Sequence, residues 1–315
     1  MTIPVEPLHE FAAALDGKRI FVTGGTGFFG RSLLDLLGQG ACPGAQWHLL
    51  SRDPEAFRRR CPWADLPQVH LIRGDVRDFV FPECHFDLIW HGAAPAVTDL
   101  PPGEMRSIIE DGTRRVLELA KYSGAGRMLF ISSGAVYGRQ PADLAKIPED
   151  FAGQPVTEYG VAKRAAEQFC RESGVPVVIA RCFAFIGRHL NREIHFAVGN
   201  FLRDALAGQP VRMQGDGTPL RSYLYADDLV EWLLAALLRG RPGEAYNIGS
   251  EDALSIRDLA ERIAVLLGCG QVTAGRAAVP GKPAERYIPA TGKAQRELGV
   301  KVRVPLDQAI RLSAQ

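Results

Sequence analysis

Short apolar runs alternate with segments of helical period along the first half of the chain. Strand-length runs fall at 19–23 (RIFVT), 47–50, 69–72, 86–90, 127–132 and 175–181. Between them, apolar positions follow the period of an amphipathic helix at 29–37, 104–122 and 157–172. Strands separated by helices are joined by crossovers, so the pattern predicts a parallel sheet with helices on both faces. Right-handed crossovers make that sheet doubly wound, an α/β class. Beyond about residue 182 the rhythm breaks. Helices expected at 200–207, 228–239 and 255–267 alternate with short strands and Gly/Pro-rich loops. This predicts a sheet domain over 1–182 and a smaller C-terminal α/β lobe over 183–315, with some of its segments returning to the sheet. Ser255 followed by Asp258 has the form of a capping box. Residues before Leu15 can form an extra amphipathic helix. The apolar stretch 229–238 is too short to span a bilayer and carries Glu231, so it reads as a buried helix and no membrane partner is expected.

The first turn of the expected sheet carries TGGTGFFG (23–30), preceded by a strand and followed by a helix. In this setting Gly24 permits a sharp turn, Gly27 lets backbone approach a pyrophosphate, and Gly30 lets the helix pack on the sheet. Phe28 and Phe29 open the helix whose free N–H groups would face the phosphates. This is the dinucleotide fingerprint of a Rossmann fold. A site for NAD carries an acid about 20 residues on, at the ribose 2′-hydroxyl. Ser51 and Arg52 stand there instead, and an arginine fork suits the 2′-phosphate of NADP. A one-residue shift brings in Asp53, which keeps NAD as the alternative. Asp75 and Val76 follow the third strand, where a carboxylate could accept from an adenine amino group.

Composition narrows the partner rather than the fold. The 315 residues carry a net charge of +1 and are 46% hydrophobic, so no long-range field favours nucleic acid and none is expected as partner. The six cysteines are scattered without a CxxC pair, which predicts free thiols, a cytoplasmic protein and no metal. The N-terminal MTIPVEPLHEF lacks a basic start and an apolar run, so it does not read as a secretory signal.

Tyr159 and Lys163 lie four apart on an expected helix, hence on one face. A lysine there is expected to favour tyrosinate and lower the phenol pKa, readying it for proton exchange with a carbinol or carbonyl. The strand before it ends in SSGAVYG (132–138), placing Ser133 at the carboxyl end of a parallel strand, where such sheets bind ligands. TGGTGFFG (23–30), GDV (74–76), HGAA (91–94), SSGAVYG (132–138), YGVAK (159–163), RCFAFIG (181–187), GDGTPLRSYLYADDL (215–229) and YNIGS (246–250) together resemble the extended short-chain dehydrogenase/reductases, in the NAD-dependent epimerase/dehydratase group acting on nucleotide sugars.

The resemblance implies a catalytic Ser133, Tyr159 and Lys163, the last two also contacting the cofactor. It implies His91, Ala93 and Ala94 beneath the dinucleotide. Asn200, Arg221 and Arg286 would hold the diphosphate of a nucleotide sugar, and His195 is a further candidate substrate contact. It also implies a homodimer paired through the helices at 104–122 and 157–172. Four-six dehydratases of the group carry an Asp-Glu pair directly after the catalytic hydroxyl; here Gly134 and Ala135 stand there and cannot transfer protons. Ile109 and Ala184 replace asparagines usual in the group. The expected activity is NADPH-dependent reduction of a nucleotide-linked 4-keto-6-deoxy-sugar. The alternatives are an NAD-dependent nucleotide-sugar 4-epimerase and a non-catalytic NADP-binding regulatory protein.

Overall fold

The structure is a computed structural model that describes residues 6–95, 100–193, 196–279, 281 and 283–315. The chain begins with helix α1 (Glu6–Leu15) and strand β1 (Arg19–Thr23), then α2 (Phe28–Gly38), β2 (Gln46–Ser51), α3 (Pro54–Arg58) and β3 (Val69–Arg73). It continues through β4 (Leu88–His91), α4 (Glu104–Ser123), β5 (Arg127–Ser133), α5 (Glu158–Glu172) and β6 (Val177–Cys182). Of the later elements, β7 (Phe185–Ile186), α6 (Ala197–Leu206), β8 (Val211–Met213), β9 (Leu220–Arg221) and β10 (Leu224–Tyr225) come first. They are followed by α7 (Ala226–Arg239), β11 (Ala245–Ile248), β12 (Leu254–Ser255), α8 (Ile256–Leu267), β13 (Val272–Ala274), β14 (Arg286–Tyr287), α9 (Gly292–Leu298) and α10 (Leu306–Ser313).

Seven parallel strands form one sheet in the order β11-β6-β5-β4-β1-β2-β3. The order reverses direction of growth at β1, which opens a crevice at the carboxyl ends of β1 and β4. Both faces are covered, so the strands are apolar at nearly every position rather than alternating. In β1, Ile20 and Val22 pack toward α2 and α7 while Phe21 packs toward α4 and α5. In β5, Leu129 and Ile131 take the first side, Met128 and Phe130 the second. Helix α7 is buried almost all round, as its continuous apolar sequence predicts. Helix α1 lies on it, seating Leu8, Phe11 and Leu15, each worth about 1.5–3 kcal/mol of burial.

The C-terminal lobe has its own core, with Phe201, Leu202, Ile263 and Ile310 packed among α6, α8 and α10. Ser255 and Asp258 form a complete capping box at the start of α8. The lobe's small sheet, β12-β9-β14, faces the end of β5. Within the described residues no helix is long and apolar enough to cross a membrane, and no cluster of His, Cys, Asp or Glu has metal-site geometry.

Candidate active site

The glycine loop is built by close backbone contacts. Gly24 adopts φ +76°, and a Cβ on it would lie 2.5 Å from the Gly92 carbonyl carbon. A Cβ on Gly30 would meet Gly25 Cα at 2.2 Å. Gly27 caps α2 without a side-chain hydrogen bond, leaving the first-turn N–H groups of Phe28 and Phe29 to an external anion. Phe29 packs edge-on against Phe185, ring centroids 5.3 Å apart. The loop is tight at Gly24 and Gly30, where a side chain would force backbone apart, while the Gly27 side stays open enough to fit a dinucleotide pyrophosphate. Gly30→Ala is therefore expected to weaken dinucleotide binding at least about tenfold, read by quenching of protein fluorescence; unchanged binding would refute the cradle.

At the end of β2, Ser51 is buried and Arg52 is exposed, its carbonyl accepting from Arg73 Nη1 at 3.3 Å. Asp53 is committed elsewhere: its carboxylate caps α3 by accepting from Ala56 N at 3.0 Å. Asp75 is gripped by Arg77 through Nε (2.8 Å) and Nη2 (3.0 Å), and Arg77 reaches Glu104 at 3.2 Å. Those Arg77 hydrogen bonds hold the Asp75 carboxyl below the usual range. Val76 is buried against Gly112.

His91 is fully enclosed and its pKa is lowered to about 3, by burial first and then by the Lys163 charge, so it is neutral. Its Nδ1 lies 2.6 Å from Thr23 Oγ1 and its Nε2 3.0 Å from Thr113 Oγ1. Thr113 donates to the Ile109 carbonyl, which assigns Nε2 as the protonated nitrogen. Thr23 then donates to Nδ1 and accepts from Ala93 N at 3.1 Å. The chain fixes the backbone of Ala93 and Ala94 beside the glycine loop.

Ser133 ends β5, and its Oγ accepts from Ala135 N at 3.1 Å. Thr157 caps α5, and Gly160 lets that helix approach until a Cβ would meet the Ala135 carbonyl at 2.6 Å. This sets Tyr159, in the first turn of α5, against the end of β5. Lys163 lies one turn on, with Nζ 5.9 Å from the Tyr159 ring centroid and donating to the Ile131 carbonyl at 2.7 Å. The expected lowering of the Tyr159 pKa does not hold in this structure. Burial pushes the phenol up to about 12, with Cys182 adding to the rise and Ser133 opposing it. Burial also lowers Lys163 to about 8. Desolvation exceeds the pairing because both groups leave water and the ammonium is spent on a carbonyl. Tyr159 is thus a protonated phenol at neutral pH, a donor.

Beneath this group, Ser132 Oγ donates to Glu167 at 2.6 Å, and Arg181 grips Glu167 through Nε (3.0 Å) and Nη2 (2.8 Å). Arg181 also donates to Tyr137, which donates to Asn247. The network ties β5, α5, β6 and β11 together.

Among the other expected contacts, Arg221 lies on β9 and Arg286 on β14. The register pairs Arg221 with Tyr287 and Arg286 with Leu220, so Arg221 shares a face with Tyr287. Asn200 lies on α6, and its Oδ1 is buried with no hydrogen-bond partner among the described residues. His195 lies outside the described residues. One residue that the sequence reading missed is Tyr287, whose hydroxyl lies 2.6 Å from the place a Cβ on Gly134 would take and whose ring packs on Phe183 with centroids 4.6 Å apart. Its signal was faint: an aromatic next to Arg286, in a strand of two residues.

The sequence model of the NAD dependent epimerase/dehydratase family matches residues 20–249. The chain is 31% identical to UDP-glucuronic acid decarboxylase 1 of Xenopus tropicalis over 96% of its own length and 73% of that protein's. It is 31% identical to dTDP-glucose 4,6-dehydratase of Streptomyces niveus, over 91% and 88%. Among solved structures, DesIV, a dTDP-glucose 4,6-dehydratase from Streptomyces venezuelae with NAD and TYD bound, superposes with a TM-score of 0.79 at 27% identity. It covers 93% of this chain and 96% of that one.

Proposed function

The chain belongs to the NAD-dependent epimerase/dehydratase family, and from that premise we propose that it reduces the 4-keto group of a nucleotide-linked 4-keto-6-deoxy-sugar with NADPH. The observation that carries this reading is the make-up of the pocket floor at Ser133. The two positions after it hold Gly134 and Ala135, and the space a side chain at 134 would enter is taken by the Tyr287 hydroxyl, 2.6 Å from that Cβ position. A phenol donor, a hydroxyl and an ammonium gather at one strand end, and neither of the two positions after Ser133 offers a carboxylate to strip a carbon-bound proton. Such a set suits carbonyl reduction better than elimination of water.

The dinucleotide, held by Gly24, Gly27, Gly30 and the first turn of α2 and by Val76, Ala93 and Ala94, supplies the hydride when bound. Ser133 donates a hydrogen bond to the carbonyl oxygen and polarises it. Tyr159 Oη transfers its proton to that oxygen as the alkoxide forms. Lys163 stabilises the phenolate left behind, then returns to a neutral neighbour when Tyr159 is reprotonated. Arg221, Arg286 and Asn200 hold the diphosphate of the substrate. NADP is favoured over NAD because Arg52, exposed at the end of β2, offers a guanidinium fork to a ribose 2′-phosphate, while the Oδ1 of the neighbouring Asp53 is engaged as the cap of α3.

The test is a turnover assay. Stoichiometric loss of NADPH absorbance with a nucleotide-linked 4-keto sugar supports the reading. Interconversion of C4 epimers with no added cofactor would replace it with the epimerase alternative. For cofactor choice, Arg52→Ala is expected to raise the KM for NADPH about tenfold or more while leaving that for NADH within about twofold. Equal effects on both would remove Arg52 from the 2′-phosphate.

A further inference from the structure

Strands β2 and β3 run parallel and in register, with Leu49 beside Leu71, Leu50 beside Ile72 and Ser51 beside Arg73. Side chains alternate between the two faces along each strand. Leu49 and Leu71 pack on the α2 side of the sheet, Leu50 and Ile72 on the other. Ser51 and Arg73 therefore return to the α2 side, one step beyond Leu49 and Leu71. The glycine loop sits on that same side: a Cβ on Gly25 would meet the Leu49 side chain at 2.8 Å. Arg73 thus stands on the loop's own face, at the carboxyl end of the strand beside Ser51 and Arg52. In a Rossmann sheet the adenosine ribose of a dinucleotide reaches the end of β2.

The backbone ladder between these strands closes where Gly74 N donates to the Ser51 carbonyl at 3.0 Å. One carbonyl further on, Arg73 Nη1 donates to the Arg52 carbonyl at 3.3 Å. A side chain takes over where the backbone donors stop, and it holds the Arg73 guanidinium against the Arg52 backbone. Nε and Nη2 of Arg73, and the whole guanidinium of Arg52, have no hydrogen-bond or ion-pair partner among the described residues. The neighbouring acids are engaged elsewhere. Asp53 Oδ1 accepts from Ala56 N at 3.0 Å, and Asp75 is gripped by Arg77 at 2.8 and 3.0 Å. Two like charges at one strand end repel, and an anion with several oxygens turns that repulsion into attraction.

We propose that Arg73 is the second cation of the cofactor site, joining Arg52 on the 2′-phosphate of NADP: Nη1 braces the Arg52 backbone, and the free edge of the fork supplies the second charge. The inference rests on the reading of Arg52 as the 2′-phosphate partner and adds a residue to it. Preference for NADP is then written across two strand ends rather than at one position.

The experiment is calorimetric binding of two fragments, adenosine 2′,5′-bisphosphate and 5′-AMP, to wild type, Arg73→Ala, Arg52→Ala and the double variant. The fragments differ by the 2′-phosphate alone, and neither needs turnover. Wild type is expected to bind the bisphosphate at least about tenfold more tightly than 5′-AMP. Arg73→Ala is expected to weaken the bisphosphate about tenfold and 5′-AMP by less than about twofold. A further loss of bisphosphate affinity should appear when Arg73→Ala is added to Arg52→Ala. Arg73 is exposed, and retained 5′-AMP binding reports an intact adenosine site. An Arg73→Ala protein that binds both fragments like wild type, weakens both equally, or adds no loss in the Arg52→Ala background overturns the second cation. A wild type that binds both fragments equally ends the NADP reading and this inference with it. A wild type that discriminates, with Arg73→Ala discriminating just as well, removes Arg73 and leaves Arg52 in place.

Discussion

Tyr159→Phe is expected to lower kcat about a thousandfold, equal to ~4 kcal/mol of lost transition-state stabilisation, while dinucleotide affinity changes little. The substitution removes one oxygen and preserves the ring that packs in α5. The phenol is protonated in the resting site, held up to about 12 by burial, so it is the donor at every pH a cell reaches. Its neighbour sets the alkaline limit. Lys163, lowered to about 8 by burial, keeps its charge below that pH and loses it above, and with it the support for a phenolate. The reductive rate is therefore expected to be flat below about pH 8 and to fall above it. Steady-state kinetics from pH 6 to 10 on wild type and Tyr159→Phe check both points. A phenylalanine variant with near wild-type turnover would remove Tyr159 as the proton donor, and one that kept full biological activity without turnover would return the protein to the non-catalytic reading.

Arg181→Met is expected to destabilise the fold by about 3–5 kcal/mol at pH 7, without contact with substrate. The variant strands the Glu167 carboxylate, whose side chain is 1% exposed, with Ser132 and Arg171 as remaining partners. Burial pushes the Glu167 carboxyl up, but Arg181's hydrogen bonds and charge, with Ser132 and Arg171, hold it below the ordinary range. A depressed carboxyl adds stability that is fully present above its unfolded pKa, about 4.3, and is lost as pH falls through the folded value. Without Arg181 burial prevails and the folded pKa rises. The variant then carries a penalty above the unfolded pKa that fades as pH falls. The gap between wild type and variant should accordingly shrink from pH 7 toward pH 4, measured by urea unfolding. A Glu167→Leu change in the variant should recover much of the loss. A gap that is constant with pH would mean that packing, not charge, is what Arg181 provides.

The sheet was legible because its strands and helices are long enough to show a period. Strands at 19–23 and 127–132 and helices at 104–122 and 157–172 agree with β1, β5, α4 and α5 to within a residue or two. The glycine loop was legible for a related reason: its chemistry is contiguous in sequence. The rest of the site is assembled from afar. Tyr287 sits in a strand of two residues, which has no period, and meets Gly134 only through the fold. The ambiguity between Arg52 and Asp53 could not be resolved from composition, since an acid there serves a helix start or a ribose equally well; in the structure Asp53 Oδ1 caps α3. The expected effect of Lys163 on Tyr159 failed because spacing reports proximity and says nothing of how much water both groups lose.

The placement of β11 has a consequence for synthesis on the ribosome. Strand β6 ends at Cys182, yet its outer partner is Ala245–Ile248, about 60 residues further along. At roughly 5–20 residues per second, translation leaves that hydrogen-bonding edge bare for about 3–13 s. During this interval the nascent chain displays an apolar strand, VVIARC, that another chain could pair with. Cells that translate this protein slowly would be expected to need a holdase for that window, and a slow stretch of codons between the two strands would lengthen the danger rather than relieve it.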